Sequence, residues 1–282
     1  MVSKQDRSAA ARLLLVIIAA FGIALALPAF SACAEECPGN PAAIGNRRVI
    51  SVDPATLRQV GTVQHAQTLP LRDHEIVLTF DDGPSPVTTG KVLDVLAAEC
   101  VKANFFIVGE HAREWPDLAL RAYKDGHTIG THSQTHADLS RLSFAAAAGE
   151  IDDGIESVQA ALGPQMTAAP FFRAPYLQTT PDLRQFLFER DVMLWSIDID
   201  SEDWRPQTPE SVVERTLTLL EAKHSGIVLL HDVQPHTAAA LPMLLRELKA
   251  RGFGIVQAVA PETKANPLAV SSDTATSEPR PK

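Results

Sequence analysis

Two histidines separated by three residues, in Thr131-His132-Ser133-Gln134-Thr135-His136, have the spacing of paired metal ligands. Alone the pattern is weak, because exposed or core histidines are commoner. Joined to one carboxylate from elsewhere in the chain, it becomes a two-histidine, one-carboxylate set with positions open to water and substrate. Candidate carboxylates stand at Asp81-Asp82, just before Gly83-Pro84. Side chains of an extended segment alternate sides, so these two can take different roles; a turn using Asp for local hydrogen bonds is the plainer reading. Arg173, in Phe172-Arg173-Ala174-Pro175-Tyr176, has the fork that grips a carboxylate, or is an ordinary surface arginine. The acid-rich stretch Asp198-Ile199-Asp200-Ser201-Glu202-Asp203 runs into Trp204-Arg205. His231 follows the apolar run Val228-Leu229-Leu230, a position suited to acid–base work.

Something must bring these groups together. Short apolar runs at residues 75–80, 103–108, 128–131, 171–173, 192–197, 226–230 and 254–258 read as about seven strands. The segments between them have helical period. Ile151, Ile155, Val158 and Leu162 recur after Ser143, a candidate cap, and stop at Gly163. Val213, Leu217 and Leu220 follow Thr208-Pro209, and Leu241, Leu244, Leu245 and Leu248 end before Gly252. Alternating strands and helices predict a parallel sheet. About seven repeats with one composition throughout predict an α/β fold of one closed or nearly closed barrel, with a doubly wound sheet as the rival. The first strand is not followed by a glycine-rich phosphate loop, which weakens any nucleotide-binding reading. Sites in such folds form at the carboxyl ends of strands, and all five polar clusters stand there.

The chain has 282 residues, 45% of them hydrophobic and 21% charged. That composition suits a packed core and excludes a disordered or collagen-like chain. Its net charge of −9 gives no general attraction for nucleic acid or anionic lipid, so a neutral or cationic substrate suits it better. Residues 1–34 read as an export signal: Lys4, Arg7 and Arg12, an apolar run at 13–27, Pro28, then Ser31, Ala32 and Ala34. The run is short of the roughly 20 residues a spanning helix needs, although a retained anchor helix is the alternative. Cleavage after Ala34 gives a free periplasmic or extracellular protein; Cys33 offers a lipid-anchored form instead. Export implies an oxidising compartment, where Cys37 and Cys100 are either bridged or two free thiols. Residues 35–74 read as an N-terminal arm and 261–282, rich in Pro, Ser and Thr, as a disordered tail.

In order, the motifs TFDDGP, HSQTH, RAPY, DSEDW and LLHD resemble those of the NodB-like polysaccharide deacetylases, carbohydrate esterase family 4. The resemblance covers about residues 75–258, within a deacetylase domain placed at 75–260. It implies a single-domain, distorted (β/α)7-8 barrel. It also implies a monomeric, metal-dependent hydrolase that removes N-acetyl groups from GlcNAc-containing glycans, such as chitooligosaccharide or peptidoglycan, and releases acetate. Asp82, His132 and His136 then match the metal ligands, with Zn first and Co, Mn or Ni as alternatives. Asp81 matches the general base and Arg173 its orienting partner. His231 matches the general acid and Asp203 the group that tunes it. Tyr176 matches a backbone oxyanion donor, and Trp204 and Leu229 the walls of the acetyl pocket. An O-acetyl xylan esterase on the same site, a catalytically silent carbohydrate-binding protein and a surface-anchored interaction protein are the rival readings. His65, His74, His111, His127, His224 and His236 receive no role.

Overall fold

The structure is a computed structural model, and it describes residues 37–261. The export signal and the tail lie outside those residues. The strands are β1 (Asn46–Ser51), β2 (Gln59–Val60), β3 (Glu75–Asp81), β4 (Asn104–Ile107), β5 (Thr128–Thr131), β6 (Phe171–Arg173), β7 (Met193–Trp195), β8 (Ile199–Asp200), β9 (Gly226–His231) and β10 (Gly254–Val259). The helices are α1 (Thr89–Ala98), α2 (Gly109–Glu114), α3 (Pro116–Lys124), α4 (Phe144–Leu162), α5 (Pro181–Glu189), α6 (Pro209–Lys223) and α7 (Pro235–Ala250).

β3 is buried at every residue, as expected of a strand covered on both faces. It pairs in parallel with β9 along nearly its whole length and with β4 at its upper end. From β4 the pairing passes to β5, β6 and β7, all parallel. The chain then bends at residues 196–198 into β8, which pairs with β9 and so returns the ring to β3. With β7 joined to β8 through the chain rather than by strand pairing, this is the nearly closed barrel that the alternation predicted. Its distortion lies in β10, which touches β3 only at Glu75 and Ile76. β10 then crosses the barrel floor, where its Ala258 carbonyl accepts from Asn104 Nδ2 and Thr128 Oγ1, each at 2.8 Å.

Strand alternation separates two cores. Ile76, Leu78 and Phe80 of β3 pack under the helices, whereas Val77 faces the barrel interior with Phe106, Phe171, Trp195 and Ile227. Period two then puts Asp81, Arg173, Leu229 and His231 on the inner face, above that plug. The predicted helices bury the expected stripes. Ser143 caps α4 by accepting from the Ala146 N–H, and Thr208 caps α6 by accepting from the Ser211 N–H.

Residues 37–74 contribute β1 and β2, neither of which was predicted. β1 pairs with β10 and β2 with β7. Buried Asp198 latches this segment by accepting from the Thr62 N–H at 2.8 Å and from Thr68 Oγ1 at 2.5 Å. Arg48 grips buried Glu75 through two hydrogen bonds, at 2.8 and 2.5 Å. Cys37 and Cys100 form a disulfide with Cα atoms 5.6 Å apart across a sequence separation of 63. Closing a loop of that length removes about 4 kcal/mol of chain entropy from the unfolded state. Cys100→Ser should therefore lower unfolding stability by about that amount in equilibrium urea titration; an unchanged midpoint would show that the bridge adds nothing.

Candidate active site

The parallel ring brings the ends of β3, β5, β6, β8 and β9 to one rim, and each end carries one sequence cluster. Asp81 and His231 are register partners on adjacent strands, so they face the mouth side by side. The loops at this rim are strained. Among the described residues, six of the ten non-glycine residues with positive φ are Asp82, Ser133, His136, Tyr176, Leu177 and Glu202. Such conformations cost of order 1–3 kcal/mol each and persist where the surrounding structure over-determines them.

The turn after β3 shows how one conformation is held. Gly83 lets the buried carboxylate of Asp232 lie against its backbone; a Cβ there would sit 2.1 Å from Asp232 Oδ2. Burial first, with the neighbouring Asp82 charge adding to it, pushes Asp232 up to about 7. On the far side of the turn, His111 Nδ1 donates to the Asp82 carbonyl at 2.6 Å.

Asp82, His132 and His136 converge. His132 Nε2 lies 3.3 Å and His136 Nε2 3.2 Å from the same oxygen, Asp82 Oδ1. Donor atoms bound at 2.0–2.1 Å to one ion at tetrahedral angles stand about 3.3 Å apart. His132 Nδ1 donates to the Arg173 carbonyl at 2.7 Å, which fixes the tautomer and turns the Nε2 lone pair toward Asp82. Asp82 Oδ1 is buried and makes no hydrogen bond. Two imidazoles and an orphaned carboxylate oxygen at these separations fit a divalent transition ion. Burial opposes the Asp82 charge, but His132 and His136 outweigh it and hold the carboxyl below the usual carboxylate range.

Asp81 is 2% exposed, and Arg173 Nη1 donates to its Oδ1 at 2.5 Å. Arg173 is itself fully buried. It donates to Thr79 Oγ1 at 2.9 Å and to the Ser196 carbonyl at 3.2 Å, and stacks on Phe106 with its guanidinium carbon 4.2 Å from the ring centre. Burial lowers the Arg173 pKa, with Asp81 opposing it. The ion pair therefore presents Asp81 with one oxygen tied down and the other, Oδ2, 3.8 Å from His132 Nε2. Arg173→Leu should strand Asp81 as a buried unpaired charge and cost about 3–5 kcal/mol of stability, read from urea unfolding. A loss below 1 kcal/mol would contradict this pairing.

His231 Nδ1 lies 2.6 Å from Asp203 Oδ1, and the His231 N–H donates to Asp203 Oδ2 at 2.7 Å. Thr237 Oγ1 donates to the same Oδ2 at 2.6 Å, and His236 Nε2 donates to the Asp203 carbonyl at 2.5 Å. Burial opposes protonation of His231, but Asp203, with Asp82 and Asp81 adding their charge, raises it to about 9. The imidazole is thus protonated at neutral pH, with Nε2 left to face the cavity.

A cavity of about 400 Å³ joins these groups. It is lined by Asp81, Asp82, His132, His136 and His231, with Tyr176 and Trp204 at its edges and Leu229 among its walls. Tyr176 packs on His136 with ring centres 4.8 Å apart. Arg173 and Asp203 stand behind the lining, in contact with Asp81 and His231 respectively. Every site residue picked from the sequence is therefore at this rim. Several contributors were not picked. Asp200 lines the cavity, and His111, His236 and Asp232 brace it from behind. A larger cavity, about 640 Å³, lies at the strand starts beside His127 and Gln257. His127 accepts from the Ala103 N–H there and is held at about 3, chiefly by burial, so it is uncharged at neutral pH.

Comparison with known proteins gives a consistent answer. The polysaccharide deacetylase family profile matches residues 69–192. A peptidoglycan-N-acetylmuramic acid deacetylase of Bacillus subtilis is 31% identical over 198 residues, 70% of this chain and 41% of the relative. A chitooligosaccharide deacetylase of Rhizobium leguminosarum bv. trifolii is 34% identical over 197 residues, 65% of this chain and 89% of the relative. A solved peptidoglycan deacetylase of Bdellovibrio bacteriovorus superposes with a TM-score of 0.72 at 33% identity, covering 81% of this chain and 63% of that one. The chain thus spans well under half of the first of these relatives and nearly all of the second. With five motifs meeting at one barrel rim and this match to relatives, the chain belongs to the polysaccharide deacetylase family, carbohydrate esterase family 4.

Proposed function

We propose that this chain is an exported, zinc-loaded hydrolase that removes N-acetyl groups from GlcNAc-containing glycans, with peptidoglycan or chitooligosaccharide as substrate. The observation that carries it is the convergence of both imidazole Nε2 atoms on Asp82 Oδ1, beside Asp81 and His231 in one cavity. Asp82, His132 and His136 hold the ion. When bound, it supplies Lewis-acid polarisation of the acetyl carbonyl and makes a nearby water acidic enough to attack near neutral pH.

The chain's own residues do the rest. Asp81, oriented by Arg173, takes the proton from the attacking water. The Tyr176 backbone N–H donates to the developing oxyanion, a contact of the kind worth about 3 kcal/mol. His231 donates its Nε2 proton to the departing amine nitrogen, and Asp203 keeps it charged until then. Leu229 and Trp204 wall the acetyl methyl. A net charge of −9 does not oppose a neutral acetylated sugar, and the freed amine leaves as a cation.

Residues 1–34 serve as the export signal and 75–260 as the deacetylase domain. The Cys37–Cys100 bridge supports an oxidising compartment. No helix of the described residues is long and apolar enough to cross a membrane.

Acetate release from chitooligosaccharides, peptidoglycan and acetylxylan, with and without chelator, tests the reading. Chelator-sensitive release from either N-acetylated substrate is expected; release from acetylxylan alone would move the assignment to an O-acetyl esterase. The pH profile adds a second check. His231 must be protonated to act as the acid, and Asp203 raises its pKa above that of a free imidazole, so kcat/KM should hold at neutral pH and fall on the alkaline side as that proton is lost. Asp203→Asn removes the group that raises it, and the alkaline limb should then move to lower pH. A limb that stays put would assign the proton to another group.

A further inference from the structure

We propose that Asp73, His74 and His224 form a second site for a divalent transition-metal ion, at the opposite ends of the two strands that carry Asp81 and His231. One ligand atom from each residue lies within 4.8 Å of the others. Asp73 Oδ2 is 2.7 Å from His74 Nδ1, and Asp73 Oδ1 is 3.8 Å from His224 Nδ1. Each imidazole stands beside a different oxygen of the one carboxylate, so small side-chain rotations suffice to bring three donors to the roughly 3.3 Å expected around one tetrahedral ion.

The backbone places both histidines firmly. His74 immediately precedes β3, and His224 stands two residues before β9. Both have left-handed backbones, with φ 58° and 67°. The His74 N–H donates to the His224 carbonyl at 2.8 Å, and the His74 carbonyl accepts from the Gly254 N–H at 2.8 Å and from Arg47 Nη1 at 3.3 Å. The His74 ring packs on Phe253 with centres 4.8 Å apart, which restrains its rotation. His74 and His224 are therefore aimed at one another's surroundings by strand pairing rather than by chance encounter of mobile side chains. Their side chains are 38% and 61% exposed and that of Asp73 is 73% exposed, so the remaining coordination positions open to water.

Two imidazoles with one carboxylate suit Zn²⁺, Ni²⁺ or Cu²⁺ and not Mg²⁺ or Ca²⁺. A β3 of seven residues separates the two ends by roughly 20 Å, so an ion here cannot reach the reacting atoms. Its effect is to clip the start of β3 to the start of β9, the pair whose upper ends hold the base and the acid. The assignment does not depend on the proposed activity.

Equilibrium dialysis of the full chain against Zn²⁺, with metal counted per chain, tests it. The unaltered protein should bind two equivalents and His224→Asn one, with acetate release retained in the variant. Asn accepts a left-handed backbone, so the turn survives the change. Asp82→Asn should also bind one, and Asp82→Asn with His224→Asn together close to none. On the Asp82→Asn background, added Zn²⁺ should raise the melting temperature, and His224→Asn should abolish that rise. Two equivalents retained by His224→Asn, or a single equivalent in the unaltered protein that His224→Asn leaves in place, would overturn the second site.

Discussion

Asp82→Asn should remove the active-centre ion and deacetylation together. The neutral amide keeps the shape but gives up the charge at the oxygen on which His132 Nε2 and His136 Nε2 converge, at 3.3 and 3.2 Å. Two neutral imidazoles are a weaker set for a divalent cation than two imidazoles with a carboxylate. Losing the ion forfeits several kcal/mol of transition-state stabilisation, which at 1.36 kcal/mol per decade is a rate loss of at least about a thousandfold. Folding should be unharmed, because the same oxygen has no hydrogen-bond partner to lose. The checks are metal content and acetate release on one preparation. A variant that retains its activity, or that loses activity with active-centre metal still bound, contradicts the assignment of Asp82 as a ligand.

His231→Ala should separate what Asp82→Asn joins. His231 holds its Nδ1 to Asp203 at 2.6 Å and is not among the converging ligand atoms, so metal content should be unchanged. Amine is a poor leaving group, and a positioned acid contributes about 10² to 10⁴ in rate. Turnover should fall by that factor on an amide substrate. It should fall much less on an O-acetyl ester, whose alcohol departs more readily. An equal loss on both substrates would show that His231 acts by some means other than protonating nitrogen. Truncation also leaves Asp203 buried beside Thr237 with one partner fewer, so a modest stability loss in urea should accompany the kinetic one.

Much of this was readable because strand ends have a simple grammar. An apolar run that terminates in polar residues at 81, 132, 173 and 231 marks a rim, and alternation decides which side chain points inward. The helix stripes were equally plain, and Leu241, Leu244, Leu245 and Leu248 are all buried. What escaped was made by tertiary placement. β2 and β8 are two residues long, too short to show any period. β1 reads Asn-Arg-Arg-Val-Ile-Ser, and its exposed Val49 and two arginines hide a strand whose partner, β10, lies near the other end of the described residues. His111 and His236 bond backbone carbonyls of Asp82 and Asp203, a contact that spacing cannot signal.

The acid-rich stretch after β7 shows the same limit. Asp198 is a structural latch, Asp200 lines the cavity and Asp203 tunes His231, yet in sequence they are three aspartates in a row of acids. The even pair of cysteines was visible, but only the 5.6 Å between their Cα atoms makes it a bridge.

Anomalous diffraction at the zinc edge, from crystals of the full chain equilibrated with Zn²⁺, tests the central claim most directly. The account predicts a peak at the upper rim within about 2.0–2.2 Å of Asp82 Oδ1, His132 Nε2 and His136 Nε2, with Asp81 and His231 on either side of the cavity beside it. A map without density at that point, or one whose upper-rim ion is held by other side chains, would contradict it.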